Sequence, residues 1–133
     1  MSIKISHIDH IVLTVKDIDV TCQFYQDIFG MKVIHFAEGR KALHFGKQKF
    51  NLHELGKEAK PNAYNATSGT IDLCLLSDTP LKGILRILEE QNISIEDGPV
   101  IRTGATAPIN SIYIRDPDNN LIEISNIISP ENP

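Results

Sequence analysis

An α+β fold of two tandem βαβββ modules, forming a curved mixed sheet (a partial barrel) with its helices outside, is what this 133-residue sequence predicts. Three observations predict it. The order strand, helix, three strands can be read twice along the chain. Both halves open alike, with HIVLTVKD from His10 and DLCLLSD from Asp72, each a strand that runs to an aspartate before its helix. The stretch Ser111 to Asn126, SIYIRDPDNNLIEISN, sets two period-two isoleucine runs on either side of a turn-rich segment, the pattern of a β-hairpin. Two such units can pair and curl their sheets around a shared pocket. The chain, 1–133, therefore reads as one domain, with module 1 at about 6–56 and module 2 at about 69–128.

Ile8 to Val15 is rich in β-branched residues and predicts the first strand, with Ile11, Leu13 and Val15 on one face and His10, Val12 and Thr14 on the other. A helix follows. Asp17 or Asp19 can cap it, Val20, Phe24 and Ile28 recur every four residues, and Gly30 supplies a left-handed exit. Phe24, Ile28 and Phe29 are its expected buried stripe. Met31 to Phe36 is the next strand; Ala42 to Phe45 and Lys49 to Glu54 form a hairpin across Gly46, Lys47 and Gln48. The polar, turn-rich run Lys57 to Ser68 reads as the connection between halves.

Ile71 to Leu76 opens the second half as a strand. Asp78 or Thr79 can cap the helix after it, Pro80 suits its first position, and Leu81, Ile84, Leu85 and Leu88 give an i, i+3, i+4, i+7 stripe that ends by Asn92. Ile93 to Glu96 and Val100 to Ile101 read as short strands broken by Asp97-Gly98-Pro99. Thr103 to Pro108, TGATAP, reads as a small-residue loop at a rim or lid. In the last hairpin the isoleucines can cover a core while Tyr113 and Glu123 share the opposite face.

Composition bounds the function. A net charge of −4 and the absence of a gathered basic face oppose nucleic-acid binding, and Arg40, Lys41, Lys47 and Lys49 read as a solvated hairpin edge. No run approaches transmembrane length and the N-terminus has no signal-peptide pattern, so no membrane partner and a cytoplasmic location are expected. Cys22 and Cys74 lie inside expected elements without disulfide or zinc spacing and are expected to be small buried groups.

The repeat singles out three metal-capable side chains at equivalent strand positions, His10, Asp72 and Glu123. Taken singly, His10 could be a core histidine, Asp72 could bond turn amides and Glu123 could face water. Taken together, one imidazole and two carboxylates make a hard, oxygen-rich set suited to an open divalent ion such as Mn²⁺, Fe²⁺, Ni²⁺ or Mg²⁺, with Zn²⁺ also admissible.

The text HIDHIVLTVKDI, the helix exit FYQDIFGMKV and the segment IYIRDPDNNLIEIS resemble the vicinal oxygen chelate superfamily. That superfamily includes glyoxalase I, fosfomycin-resistance proteins, extradiol dioxygenases and methylmalonyl-CoA epimerases. The resemblance runs across nearly the whole chain and is nearest to small glyoxalase domain-containing proteins of the type numbered five, to which NLHE at Asn51–Glu54 is also similar. It implies paired βαβββ modules, a homodimer and metal ligands on the opening and closing strands, with His10 and Glu123 at ligand positions. The chain departs from glyoxalase I in offering Asn51 for an acidic ligand, with His53 two residues along, and Asp72 for a histidine.

An ion so held could bind neighbouring oxygens of a small-molecule substrate and stabilise a forming enediolate. Glu123, Tyr113 and His53 are the catalytic candidates, and Asn51 and Tyr113 the substrate-binding ones; Tyr113 could equally keep its hydroxyl in water. The expected function is a metal-dependent, glyoxalase-like lyase, isomerase or transferase acting on a small oxygenated molecule. The alternative is a protein of bleomycin-resistance type that sequesters a drug or metabolite, against which the absence of Trp weighs. Dioxygenase chemistry would need His53 in place of Asp72 among the ligands.

Overall fold

A computed structural model describes residues 1–129. The element order is β1 (His10–Val15), α1 (Ile18–Phe29), β2 (Lys32–Phe36), β3 (Arg40–Phe45), β4 (Gln48–Glu54), β5 (Asp72–Leu76), α2 (Leu81–Glu90), β6 (Asp97–Thr103), β7 (Pro108–Arg115) and β8 (Leu121–Ile127). The chain divides into two compact units, Met1–Ser68 and Gly69–Pro133. Each holds its own four-stranded mixed sheet, ordered β1-β4-β3-β2 in the first and β5-β8-β7-β6 in the second. The α+β expectation of twice strand, helix, three strands is met. The expected mixed sheet is built as two four-stranded sheets, one in each unit.

In the first unit β1 runs parallel to β4, and the other pairings are antiparallel. Helix α1 starts where Asp17 accepts a hydrogen bond from the Val20 amide at 3.1 Å, and ends at Gly30, whose φ of 63° is left-handed. The two ends are as expected, but the buried face is not. Thr21, Cys22 and Tyr25 are buried, while Phe24, Ile28 and Phe29 are only half-buried and Val20 is exposed. The four-residue line that the pattern suggested lies beside the contact line, because Tyr25 carries the ring that meets the sheet: it packs edge-on against Phe50 of β4 with centroids 5.7 Å apart. Leu13, Val15, Leu43, Phe50 and Leu52 complete that core, each apolar side chain contributing roughly 1.5 to 3 kcal/mol on burial.

The second unit repeats the plan with different fastenings. β5 is parallel to β8, and β8 to β7 and β7 to β6 are antiparallel. Ile112, Ile114 and Ile122 are fully buried, as the hairpin pattern predicts. Helix α2 has Pro80 at its N-cap and no side chain of its own to cap it. Neither Asp78 nor Thr79 takes that role; Asn126 of β8 does, its Oδ1 accepting from the Leu81 amide at 2.7 Å while its Nδ2 donates to the carbonyls of Ser77 and Thr79.

Ile93 to Glu96 is not a strand. Strand β6 begins at Asp97, and a register shift between Asp97 and Val100 absorbs Gly98 and Pro99 as a bulge. Gly98 has a φ of 95°, and a Cβ there would collide with the Ser111 carbonyl, so the close approach of β6 to β7 requires glycine. The turn at Asp116–Asn120 is a built element. Asp116 Oδ1 accepts from the amides of Asp118 and Asn120, its Oδ2 accepts from Asn120 Nδ2, and Asn120 Oδ1 accepts from the Ile71 amide beside β5. The DPDNN text therefore encodes a buried turn that ties the hairpin to the neighbouring strand. Among the described residues no helix is long and apolar enough to cross a membrane.

Candidate functional site

The second unit carries a cavity of about 500 Å³. Its walls include Leu76, Ile109 and Ile127, its rim is the run Thr103–Ala107, and its polar groups are Cys74, Arg102, Tyr113 and Glu123. The expected rim loop is therefore a cavity wall, with the turn closed by the Gly104 amide donating to the Ala107 carbonyl. Tyr113 and Glu123 are directly opposed across β7 and β8, and Cys74 is opposite Glu123 on β5. Strand alternation places all three on one face.

Glu123 is anchored from behind. Ser111 Oγ donates to Glu123 Oε2 at 2.6 Å, and Ser111 Oγ and Ser125 Oγ are 2.6 Å apart. Since Ser111 spends its proton on the carboxylate, Ser125 donates to Ser111. Cys74 Sγ, 3.3 Å from Ser125 Oγ, then supplies the next proton in the chain. Burial pushes the Cys74 thiol up, so the thiol keeps the proton that this direction needs. Both serines are fully buried, and among the described residues no hydrogen bond engages Glu123 Oε1. The result is a carboxylate held by one oxygen and available through the other. Across the strand, Arg102 Nε donates to the Tyr113 hydroxyl at 3.0 Å, which leaves the phenol's own proton to donate.

The first unit holds Asn51 and His53, two apart on β4 and both 7% exposed. Arg40 Nη2 donates to His53 Nε2 at 3.5 Å, the outer limit of a hydrogen bond. Burial holds the His53 imidazolium below its ordinary range, and the Arg40 charge adds to this while Glu58 opposes it. A neutral ring that accepts at Nε2 carries its proton on Nδ1. That Nδ1, together with Arg40 Nε and Asn51 Oδ1, is buried without a hydrogen-bond partner among the described residues. Each such group costs roughly 1 to 3 kcal/mol, which makes this face a local strain.

The proposed metal donors are each at the end or middle of the expected strand. His10 opens β1 with Nδ1 2.8 Å from Asp9 Oδ2, an arrangement that fixes the imidazole through Nδ1. Asp72 opens β5, exposed and opposite Leu121, two residues from Cys74, the residue that faces Glu123. The donor chemistry suits a hard divalent ion, but among the described residues no three His, Cys, Asp or Glu side chains are grouped to hold one.

Two expectations are corrected. Cys74 is exposed and lines the cavity, while Cys22 is buried as expected. The basic residues of β3 and β4 are not a uniformly solvated edge: Arg40, Lys41 and Lys49 are half-buried, Lys41 pairs with Asp19 at 2.9 Å, and Arg40 and Lys49 both lie against the Phe36 ring. Ser111, Ser125, Arg102 and Arg40 escaped the sequence reading. The two serines did leave a signal, as small hydroxyls two residues from Tyr113 and Glu123 on the same strand faces.

Residues 7–124 match the model of the Glyoxalase/Bleomycin resistance protein/Dioxygenase superfamily. The chain belongs to that superfamily. This is the vicinal oxygen chelate resemblance read from the sequence. Within the superfamily the chain is 50% identical over 124 residues to "Virulence protein STM3117" of Salmonella typhimurium, covering 93% of this chain and 86% of that protein. It is 48% identical over 123 residues to "Glyoxalase domain-containing protein RDO1" of Mycosarcoma maydis, covering 92% of this chain and 69% of the relative. A solved structure, the integron cassette protein VCH_CASS1 from the mobile metagenome of V. cholerae, superposes with a TM-score of 0.92 at 52% identity, covering 95% of this chain and 98% of that one.

Proposed function

We propose that the protein is a glyoxalase-like enzyme of lyase or isomerase type, acting on a small oxygenated molecule that enters the cavity of the second unit. One observation carries the reading: Glu123 borders that cavity with Oε2 tied to Ser111 and Oε1 unengaged. A carboxylate so held is a fixed general base for a proton beside a carbonyl. Tyr113, oriented by Arg102, donates a proton to the developing oxyanion, and the aliphatic walls keep water from competing. Asn51 and His53, on the first unit, are proposed as hydrogen-bonding contacts to a ligand of that unit's own sheet face.

Metal dependence belongs to the proposal through the ligand set His10, Asp72 and Glu123, supported by superfamily membership and by the hard-donor chemistry of the three. A bound divalent ion would supply Lewis acidity. Stoichiometric Mn, Fe, Ni, Mg or Zn in the purified protein, lost in both His10→Ala and Glu123→Ala, supports it; metal retained in both variants removes that ligand set. A homodimer in the cytoplasm is the setting we propose.

The aliphatic walls of the cavity favour one second reading, a protein that sequesters a drug or metabolite without turnover. Thermal-shift screening with and without chelator separates the two. The enzyme reading predicts ligand stabilisation that chelator weakens, and sequestration predicts stabilisation indifferent to it.

A further inference from the structure

The face of β4 that carries Asn51 and His53 holds more than those two side chains. Strand alternation puts Lys49 on it, the parallel register adds His10 and Thr14 from β1, and Arg40 reaches it from β3. Three permanent cations, Arg40, Lys49 and Lys32, and three imidazoles, His10, His53 and His44, therefore share one face of a chain whose net charge is −4. Of the acids that act on this face, Asp9 is bonded to His10, and Glu58, which acts on His53, accepts from the Gly56 amide.

Arg40 presents its Nε–Nη2 edge to this face, the edge with which a guanidinium grips a carboxylate by two parallel hydrogen bonds. Nη2 is spent on a 3.5 Å contact to His53, and Nε is unsatisfied. His53 Nδ1 is a second unsatisfied donor, and Asn51 Oδ1 is an unsatisfied acceptor two residues away. Native proteins seldom leave three buried polar atoms unpaired on one face without a ligand, ion or water to complete them.

We propose that this face binds the carboxylate of a small hydroxy acid, with Arg40 as its principal anchor. The carboxylate accepts from the Arg40 edge, and a further ligand oxygen accepts from His53 Nδ1. The ligand hydroxyl donates to Asn51 Oδ1. Arg40 is the part that moves to admit it, since that side chain is half-buried and, among the described residues, is held by the long contact to His53 and by the Phe36 ring 4.8 Å away. The proposal rests on the reading of Asn51 and His53 as ligand contacts and deepens it by naming the ligand class. It makes no use of Glu123.

The test is a ¹H–¹⁵N and imidazole ¹H–¹³C titration of the full chain with lactate, acetate and inorganic phosphate. Saturable shifts at His53 and Asn51 are expected with lactate, weaker ones with acetate, and binding about tenfold weaker in Arg40→Gln, the size of a lost charged hydrogen bond. The readout is binding at signals of the first unit and needs no turnover, so failure of the cavity's chemistry and failure of this site are distinguishable. If Arg40→Gln does not fold, Asn51→Asp reads the same question, because a carboxylate on that face should repel the anion to a similar extent. No saturable shift with lactate, shifts unaffected by Arg40→Gln or by Asn51→Asp, or binding of phosphate but not lactate would each overturn the proposal; ordered water would then be what completes the face.

Discussion

The two units share a plan and differ in how they treat polar groups on the sheet face away from the isoleucine and aromatic cores. In the second unit Cys74, Ser125, Ser111 and Glu123 form a chain in which each hydroxyl or thiol is matched and the last carboxylate is half-engaged beside a cavity. In the first unit the matching positions carry Arg40, Asn51 and His53, whose buried atoms lack partners. A repeat fixes strand order and register, and leaves the face chemistry of each copy to diverge. The satisfied face has the rigidity that a positioned base needs, and the unsatisfied face has the unspent hydrogen-bonding capacity that a ligand would use.

Helix capping shows the same contrast. Asp17 caps α1 from three residues away, whereas Asn126 caps α2 from a strand 45 residues distant.

The largest stability effect that would sharpen this comparison is expected at the turn peculiar to the second unit. Asp116→Ala removes acceptors for three hydrogen bonds and should cost about 3 kcal/mol in urea unfolding, with no gain of activity. Next comes the pair of caps. Asn126→Ala should destabilise by about 2 kcal/mol, because it strands the Leu81 amide and two carbonyls, and Asp17→Ala by about 1 kcal/mol. Equal costs would mean that the remote cap adds nothing beyond a local one.

Smaller, and opposite in sign between the units, are the face substitutions. Ser111→Ala should destabilise by about 1 kcal/mol, while Asn51→Leu, which deletes an unpaired acceptor at similar volume, should be neutral or stabilising by about 1 kcal/mol. Destabilisation by both would break the comparison.

The gentlest effect is a pH slope. Because His53 is held below the 6.5 of a free imidazole, the unfolded chain takes up that proton first. Stability should be full above about pH 6.5 and decline as pH falls through that value, and His53→Gln should flatten this part of the profile in thermal melts.

Much of this was legible in the sequence, because period-two isoleucines, an Asp cap and a glycine exit act over a few residues. Tyr113 and Glu123 were paired correctly from the hairpin pattern alone, since pleat and register leave them no other face. What escaped depends on distance in the chain. The α2 cap lies on β8, the start of β6 was misplaced because a bulge carries Gly98 and Pro99 that read as a break, and the contact line of α1 was set by a tyrosine whose partner is on β4. Arg40 reads as solvated in the sequence because its partner, His53, is 13 residues on, on the neighbouring strand.

The most direct test of the central claim is solvent-deuterium exchange. Incubated in D₂O with a panel of small α-hydroxy ketones and α-hydroxy acids and followed by ¹H NMR, the protein should accelerate loss of the proton on the carbon beside the carbonyl or carboxyl group for at least one of them. Glu123→Gln should lower that rate by about 10²- to 10⁴-fold while remaining folded. Exchange at an unchanged rate in a folded Glu123→Gln variant would contradict the account.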